Sequence, residues 1–87
     1  MWSVELTADA ARDVRRLDPQ VAREILTYLR KRIATDDDPR RFGKALRGEK
    51  QGLWRYRVGD YRLICLVEDK KLTVLVLRAA HRKEVYG

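Results

Sequence analysis

The chain has 87 residues, 38 % of them charged, with 20 Lys or Arg against 13 Asp or Glu. That is room for one domain, residues 1–87, with a thin core, and no apolar run approaches the ~18 residues that a membrane-spanning helix needs. Met1-Trp2-Ser3-Val4-Glu5 lacks the basic-then-apolar pattern of a secretory signal, and Cys65 stands alone in an apolar run, which excludes disulfides and thiolate clusters, so a cytoplasmic protein with no membrane contact is expected.

Trp2 to Leu6 alternates weakly and reads as a short first strand. Thr7 then precedes Ala8-Asp9-Ala10-Ala11, an N-cap with an acid in the first turn, and Ala10, Val14 and Leu17 recur at helical spacing. Asp18-Pro19 starts a second helix, because Asp caps and Pro suits the first helical position. Its apolar stripe is Val21, Ile25, Tyr28, Leu29 and Ile33, with Arg30, Lys31 and Arg32 near the C-terminal end, where cations suit the dipole. Thr35 to Pro39 ends this helical hairpin. A basic connector from Arg40 to Gln51 follows, containing Gly43 and Gly48, and then the period changes. Leu53 to Val58 alternates, Gly59-Asp60 turns the chain, and Tyr61 to Val67 is nearly continuous apolar strand. Glu68 to Lys71 turns it again into Leu72–Leu77. Strands joined by tight turns predict an antiparallel meander. Two of them are apolar on both faces, and the hairpin can cover one face only. The expected fold is α+β: an N-terminal helical hairpin packed on a small twisted antiparallel β-sheet.

Charge is unevenly placed. Residues 1–38 carry seven Lys or Arg against eight Asp or Glu, and residues 39–87 carry thirteen against five. A basic half points to a polyanion partner, most often nucleic acid, although a merely basic surface would give the same count. One His, one Cys and no carboxylate pair at ligand spacing mean that neither metal nor cofactor is expected. Asp36-Asp37-Asp38 reads as a solvated turn, and no phosphate-binding glycine loop is present. What remains is a set of arginines. Arg55 and Arg57 are two apart in a strand and share a face, with Trp54 and Tyr56 on the other. Arg62 opens the next strand, within reach of them across an antiparallel pair. Beyond the last strand come His81, Arg82, Lys83 and Tyr86. Each of these alone is an ordinary surface residue, and together they suit a phosphate.

In order, the helical hairpin, Ala45-Leu46-Arg47-Gly48, Leu53-Trp54-Arg55-Tyr56-Arg57, Gly59-Asp60-Tyr61-Arg62-Leu63, His81-Arg82 and Glu84-Val85-Tyr86 give a sequence that resembles the RelE/ParE superfamily of bacterial toxins over nearly its whole length. The closing arginine and tyrosine point to the RelE branch. The resemblance implies a RelE-like fold and a toxin of a type II toxin–antitoxin system. That toxin would be a ribosome-dependent endoribonuclease (an mRNA interferase) that cuts mRNA in the decoding site without metal and so inhibits translation. It also implies an acidic RelB-type antitoxin in a hetero-oligomer. Positions matching the family's active residues are Arg55, Arg57, Arg62, Arg82 and Tyr86, and Lys44 and Arg47 of the connector join Arg55 and Arg57 as expected RNA contacts. The best-known members carry lysines where this chain has Arg55 and Arg57. Arginine does not give up a proton near neutral pH, so these two read as phosphate clamps. Many relatives also continue into a further helix where this sequence ends one residue after Tyr86. A ParE-like toxin that inhibits DNA gyrase, or a non-catalytic nucleic-acid-binding relative, would share the same fold.

The implied reaction is attack of a 2′-hydroxyl on its own 3′-phosphate, leaving a cyclic phosphate. It needs a base, an acid and charge stabilisation at phosphorus. Arg62 and Arg82 suit the last role. Tyr86 and His81 are the groups able to exchange protons, with Tyr86 first because the family places a tyrosine there. A free phenol titrates near ~10 and gains as a base from surrounding cations, whereas an imidazole near ~6.5 needs no such help.

Overall fold

Thr7 decides how the chain leaves its first strand. β1 (Ser3–Leu6) passes through it into α1 (Ala8–Arg15), and its hydroxyl accepts from the Ala10 N–H at 3.1 Å while donating to the Leu77 carbonyl at 3.0 Å. One side chain thereby caps the helix and ties it to the sheet. Asp18 does the equivalent for α2 (Pro19–Tyr28), accepting from the Gln20 N–H at 2.9 Å. The computed structural model describes residues 1–86, apart from the side chains of Lys50 and Tyr86.

A π-helical segment, Leu29–Ile33, continues α2 and keeps the apolar stripe in register with the core. Ile25, Leu29 and Ile33 are buried, and Val21 and Tyr28 are half-buried at its margin. The chain then forms β2 (Lys44–Ala45), β3 (Trp54–Val58), β4 (Tyr61–Glu68), β5 (Thr73–His81) and a closing α3 (Arg82–Tyr86). Gly59 takes a φ of 57° at the first position of the two-residue loop between β3 and β4, where such a loop needs the left-handed region.

The strand order is β1-β5-β4-β3-β2. β2 to β5 are antiparallel neighbours, whereas β1 lies parallel to β5, with Ser3 opposite Thr73 and Leu6 opposite Val76. The layering is the expected α+β, but the sheet is mixed rather than wholly antiparallel. A parallel pair needs a long connection, and here the α1–α2 hairpin together with β2, β3 and β4 separates the two strands in the chain. The core lies between this hairpin and Tyr56, Leu63, Cys65, Val74 and Val76, none of which is exposed at all. Burial pushes the Cys65 thiol up to about 12, so it stays protonated and serves as a small apolar filler. Among the described residues no helix is long and apolar enough to cross a membrane.

Candidate nucleic-acid interface

Register sets which side chains meet. Residues directly opposite each other across two strands share a face. Arg57 stands opposite Arg62, and Arg55 opposite both Lys44 and Ile64, while Tyr56 stands opposite Leu63 in the core. Lys44, Arg55, Arg57 and Arg62 therefore occupy the face turned away from the core, and all four line one cleft of about 330 Å³. Arg55 and Arg57 share the face that their spacing predicts.

Tyr28, Phe42 and Gly43 complete the wall at the β2–β3 edge. Gly43 has a φ of 81°, and a Cβ there would stand 2.3 Å from the Arg55 carbonyl oxygen. Only glycine lets this loop lie so close to β3. The Trp54 indole N–H donates to the Phe42 carbonyl at 2.7 Å and holds the approach.

Arg62 is buried, and its guanidinium donates at 3.0 Å to the carbonyls of both Gly59 and Tyr61. Lys44 and Arg57 are exposed, and among the described residues neither pairs with a carboxylate. Like charges directly opposite across strands are destabilising, so an anion in this cleft relieves the repulsion between Arg57 and Arg62.

The remaining site residues divide. Arg82 opens α3 beside the same Gly59–Asp60 turn: its N–H donates to the Asp60 carbonyl at 2.7 Å, and its Nε lies 3.8 Å from the Asp60 carboxylate. Arg62 and Arg82 are thus both bonded to this turn, but Arg82 does not line the cleft. Arg47 is exposed at the start of the turn Gly48–Lys50 and does not line the cleft. Tyr86 closes α3, and its side chain lies outside the described residues.

His81 is not brought to the arginines. It stands opposite Tyr61, on the helix-covered face, while Arg62 stands opposite Ala80 on the other. Its ring meets Tyr61 edge-on, 5.4 Å between centroids, and its Nδ1 accepts from the Lys83 N–H at 3.2 Å.

Two residues of the cleft went unnoticed in the sequence. Tyr28 belongs to the apolar stripe of α2, and Phe42 sits in a connector without periodicity. The available signal was an aromatic set between Arg41 and Gly43. Both Arg41 and Arg32 lie over the Phe42 ring, at 4.7 and 5.5 Å from its centroid.

A family model described as the ParE toxin of a type II toxin–antitoxin system (parDE) matches residues 4–86. Two Mycobacterium tuberculosis proteins, Toxin RelG and Toxin RelE, are each 33 % identical to this chain over 85 residues, 98 % of it and 95 % and 86 % of their own lengths. The toxin–antitoxin complex RelBE2 from M. tuberculosis contains a chain that superposes with a TM-score of 0.85 at 33 % identity, covering 93 % of this chain and 98 % of that one. The isolated Escherichia coli RelE toxin shares the fold, with a TM-score of 0.72 at 22 % identity and coverage of 99 % and 92 %. Matched from β1 to α3, the chain belongs to the RelE/ParE superfamily of toxins of type II toxin–antitoxin systems.

Proposed function

We propose that the protein is a ribonucleolytic toxin, a metal-independent endoribonuclease that cuts mRNA in the ribosomal decoding site. The observation that carries this reading is the cleft on which Lys44, Arg55, Arg57 and Arg62 converge. Four cations on one concave surface suit a phosphodiester chain, and planar guanidinium groups suit the oxygens of a single phosphate. The attacking 2′-oxygen loses its proton to a base, a P–O bond forms, and the 5′-oxygen leaves with a proton from an acid. Negative charge rises on the phosphate oxygens meanwhile, and Arg62 and Arg82, both bonded to the Gly59–Asp60 turn, are the groups assigned to it. Arg55 and Arg57 position the strand. Tyr86 is the proton-exchanging group that the family resemblance supplies, and the placement of His81 on the other face favours it.

The partner in this reading is an acidic antitoxin of the RelB type, in a hetero-oligomer. The solved RelBE2 assembly at 33 % identity supports it. So does a groove of about 370 Å³ on the sheet face away from the α1–α2 hairpin, lined by Leu53, Ile64, Leu77, Ala80 and Val85 together with Arg78 and Glu84. A partner offering apolar and acidic side chains matches that groove and the basic surface beside it. Exposed charge pairs formed there weaken with added salt.

Gyrase inhibition is the second reading, because the matching family model is described by ParE; the names of the two 33 %-identical relatives favour the first. Mapping RNA ends after induction in bacteria separates them. The expected result is new breaks inside translated codons, with purified protein leaving gyrase supercoiling unaffected. Intact mRNA together with blocked supercoiling would overturn the proposal.

A further inference from the structure

Phosphate binding leaves two rings of the cleft unexplained. Tyr28 projects from the end of α2 and Phe42 from the loop before β2, yet both line the same wall as the cations. Phe42 already carries guanidinium groups. Arg41 is tethered to Asp37 at 3.1 Å, whereas Arg32 pairs with no carboxylate among the described residues. Tyr28 is braced by the buried Tyr56, 6.2 Å between centroids at 56°, and its hydroxyl makes no hydrogen bond to any described residue. Desolvation holds that phenol above its ordinary value, so it is a neutral donor.

A half-buried tyrosine at a helix margin is ordinarily the edge of a core. Here the far side of Tyr28 borders a second groove with Arg23, Lys31 and Arg32, so the ring is a partition between two basic surfaces. A single-stranded nucleic acid presents both a charged backbone and flat bases, and proteins that hold it pair cations with aromatic faces. We propose that Tyr28 and Phe42 form a stacking subsite for one nucleobase of the RNA whose phosphate lies on Lys44, Arg55, Arg57 and Arg62. The base displaces Arg32 from Phe42, and Arg32 then stacks on the base's outer face, as guanidinium planes do. Gly43 builds the subsite, because its close approach to β3 is what brings Phe42 to the cleft.

This inference rests on the ribonuclease reading, and its test separates the two. Wild-type protein and Phe42→Leu, which keeps apolar bulk but removes the π face, are titrated against ribosomes carrying mRNA with one abasic nucleotide moved along the decoding site. Single-turnover cleavage is read for both half-saturation and maximal rate. At one position the abasic substitution should weaken wild-type half-saturation ~10-fold, the scale of one lost base–aromatic stack. Phe42→Leu should be weakened similarly on intact mRNA, lose nothing more on that abasic mRNA, and keep the wild-type maximal rate. Multiplying losses, or wild-type indifference to every abasic position, overturns the subsite while leaving the nuclease reading intact. If Phe42→Leu does not fold, 2-aminopurine at the sensitive position decides with wild-type protein alone: quenching on binding supports stacking, and unchanged fluorescence overturns it. A wild-type chain that neither binds programmed ribosomes nor cuts their mRNA removes the nuclease reading and the subsite together.

Discussion

The sheet treats arginine in opposite ways at its two edges. On β5, beyond the reach of β1, Arg78 Nε lies 2.8 Å from the Asp13 carboxylate, and the same carboxylate accepts the Ala79 N–H at 2.9 Å. A helix residue thus neutralises the cation and satisfies a strand edge at once, and Arg78 holds the Asp13 carboxyl below its usual range. At the β3 edge, Arg57 stands opposite Arg62 with Lys44 and Arg55 beside them. At one edge a carboxylate of the same chain answers the cation, and at the other the exposed Lys44 and Arg57 meet no carboxylate among the described residues. Net charge counts both alike, so only the pairing in three dimensions tells the two edges apart.

The sharpest way to break this contrast is to remove a cation from each edge. Arg62→Ala should slow single-turnover cleavage of ribosome-bound mRNA by ~10²-fold or more, the scale for a lost electrostatic stabiliser, and Arg82→Ala should do likewise. Arg62→Lys should recover little, because an ammonium cannot reproduce the planar fork. Arg78→Ala should cut at the parental rate per folded molecule. Equal rates for the Arg62 and Arg78 variants would erase the distinction between the edges.

The contrast was partly legible in the sequence. The two-residue spacing placed Arg55 and Arg57 on one face, and Gly59-Asp60 fixed the tight turn that sets Arg57 against Arg62. Asp13 gave no such sign, because its partners Arg78 and Ala79 are 65 and 66 residues away, and no local pattern reports a pairing at that distance. The same limit hid the parallel partner of β1, whose own residues alternate only weakly. β2 spans two residues and α3 five, each too short for a period to show. His81 looked like a site residue because its imidazole can exchange protons and lies close to the arginines in sequence. Alternation along β5 puts it on the face of Tyr61, whereas Ala80 shares the face of Arg62.

A smaller effect tests the structural edge. Asp13→Ala removes a charge-assisted pair and leaves the Ala79 N–H without its partner, which should cost about 2 kcal/mol and lower Tm by roughly 10 °C. Cleavage per folded molecule should be unchanged. Calorimetry that finds the parental Tm would mean that the edge is secured elsewhere.

Acid should dissolve the same bond gradually. The Asp13 carboxyl is held below its ordinary value, chiefly by its hydrogen bond with Arg78. A carboxyl lowered in the folded state contributes stability that is complete above its unfolded value, ~3.9, and is lost as pH falls through the folded one. Wild-type Tm should therefore fall more steeply than that of Asp13→Asn below about pH 4, and the two curves should converge in stronger acid. Parallel curves would show that this carboxyl titrates alike in both states.

The smallest expected effect is the most specific to the division of faces. His81 and Arg62 leave neighbouring strands on opposite sides, His81 opposite Tyr61 and Arg62 opposite Ala80. For the imidazole to reach a phosphate on the arginines, β5 would have to shift by one residue. That shift would also turn Ala79 and Val76 out of the core, where they are 6 % and 0 % exposed. Register is strongly specified wherever one face is buried, so the imidazole stays where it is. His81→Ala should then lose only the edge contact with Tyr61 and the bond from Lys83, and should cut mRNA at nearly the parental rate. Removing a working acid or base costs ~10²-fold or more, which is the loss expected for Tyr86→Phe and not for His81→Ala. A His81→Ala variant that loses two orders of magnitude in rate would put the reacting phosphate on the helix side of the sheet and detach the chemistry from the arginine cleft.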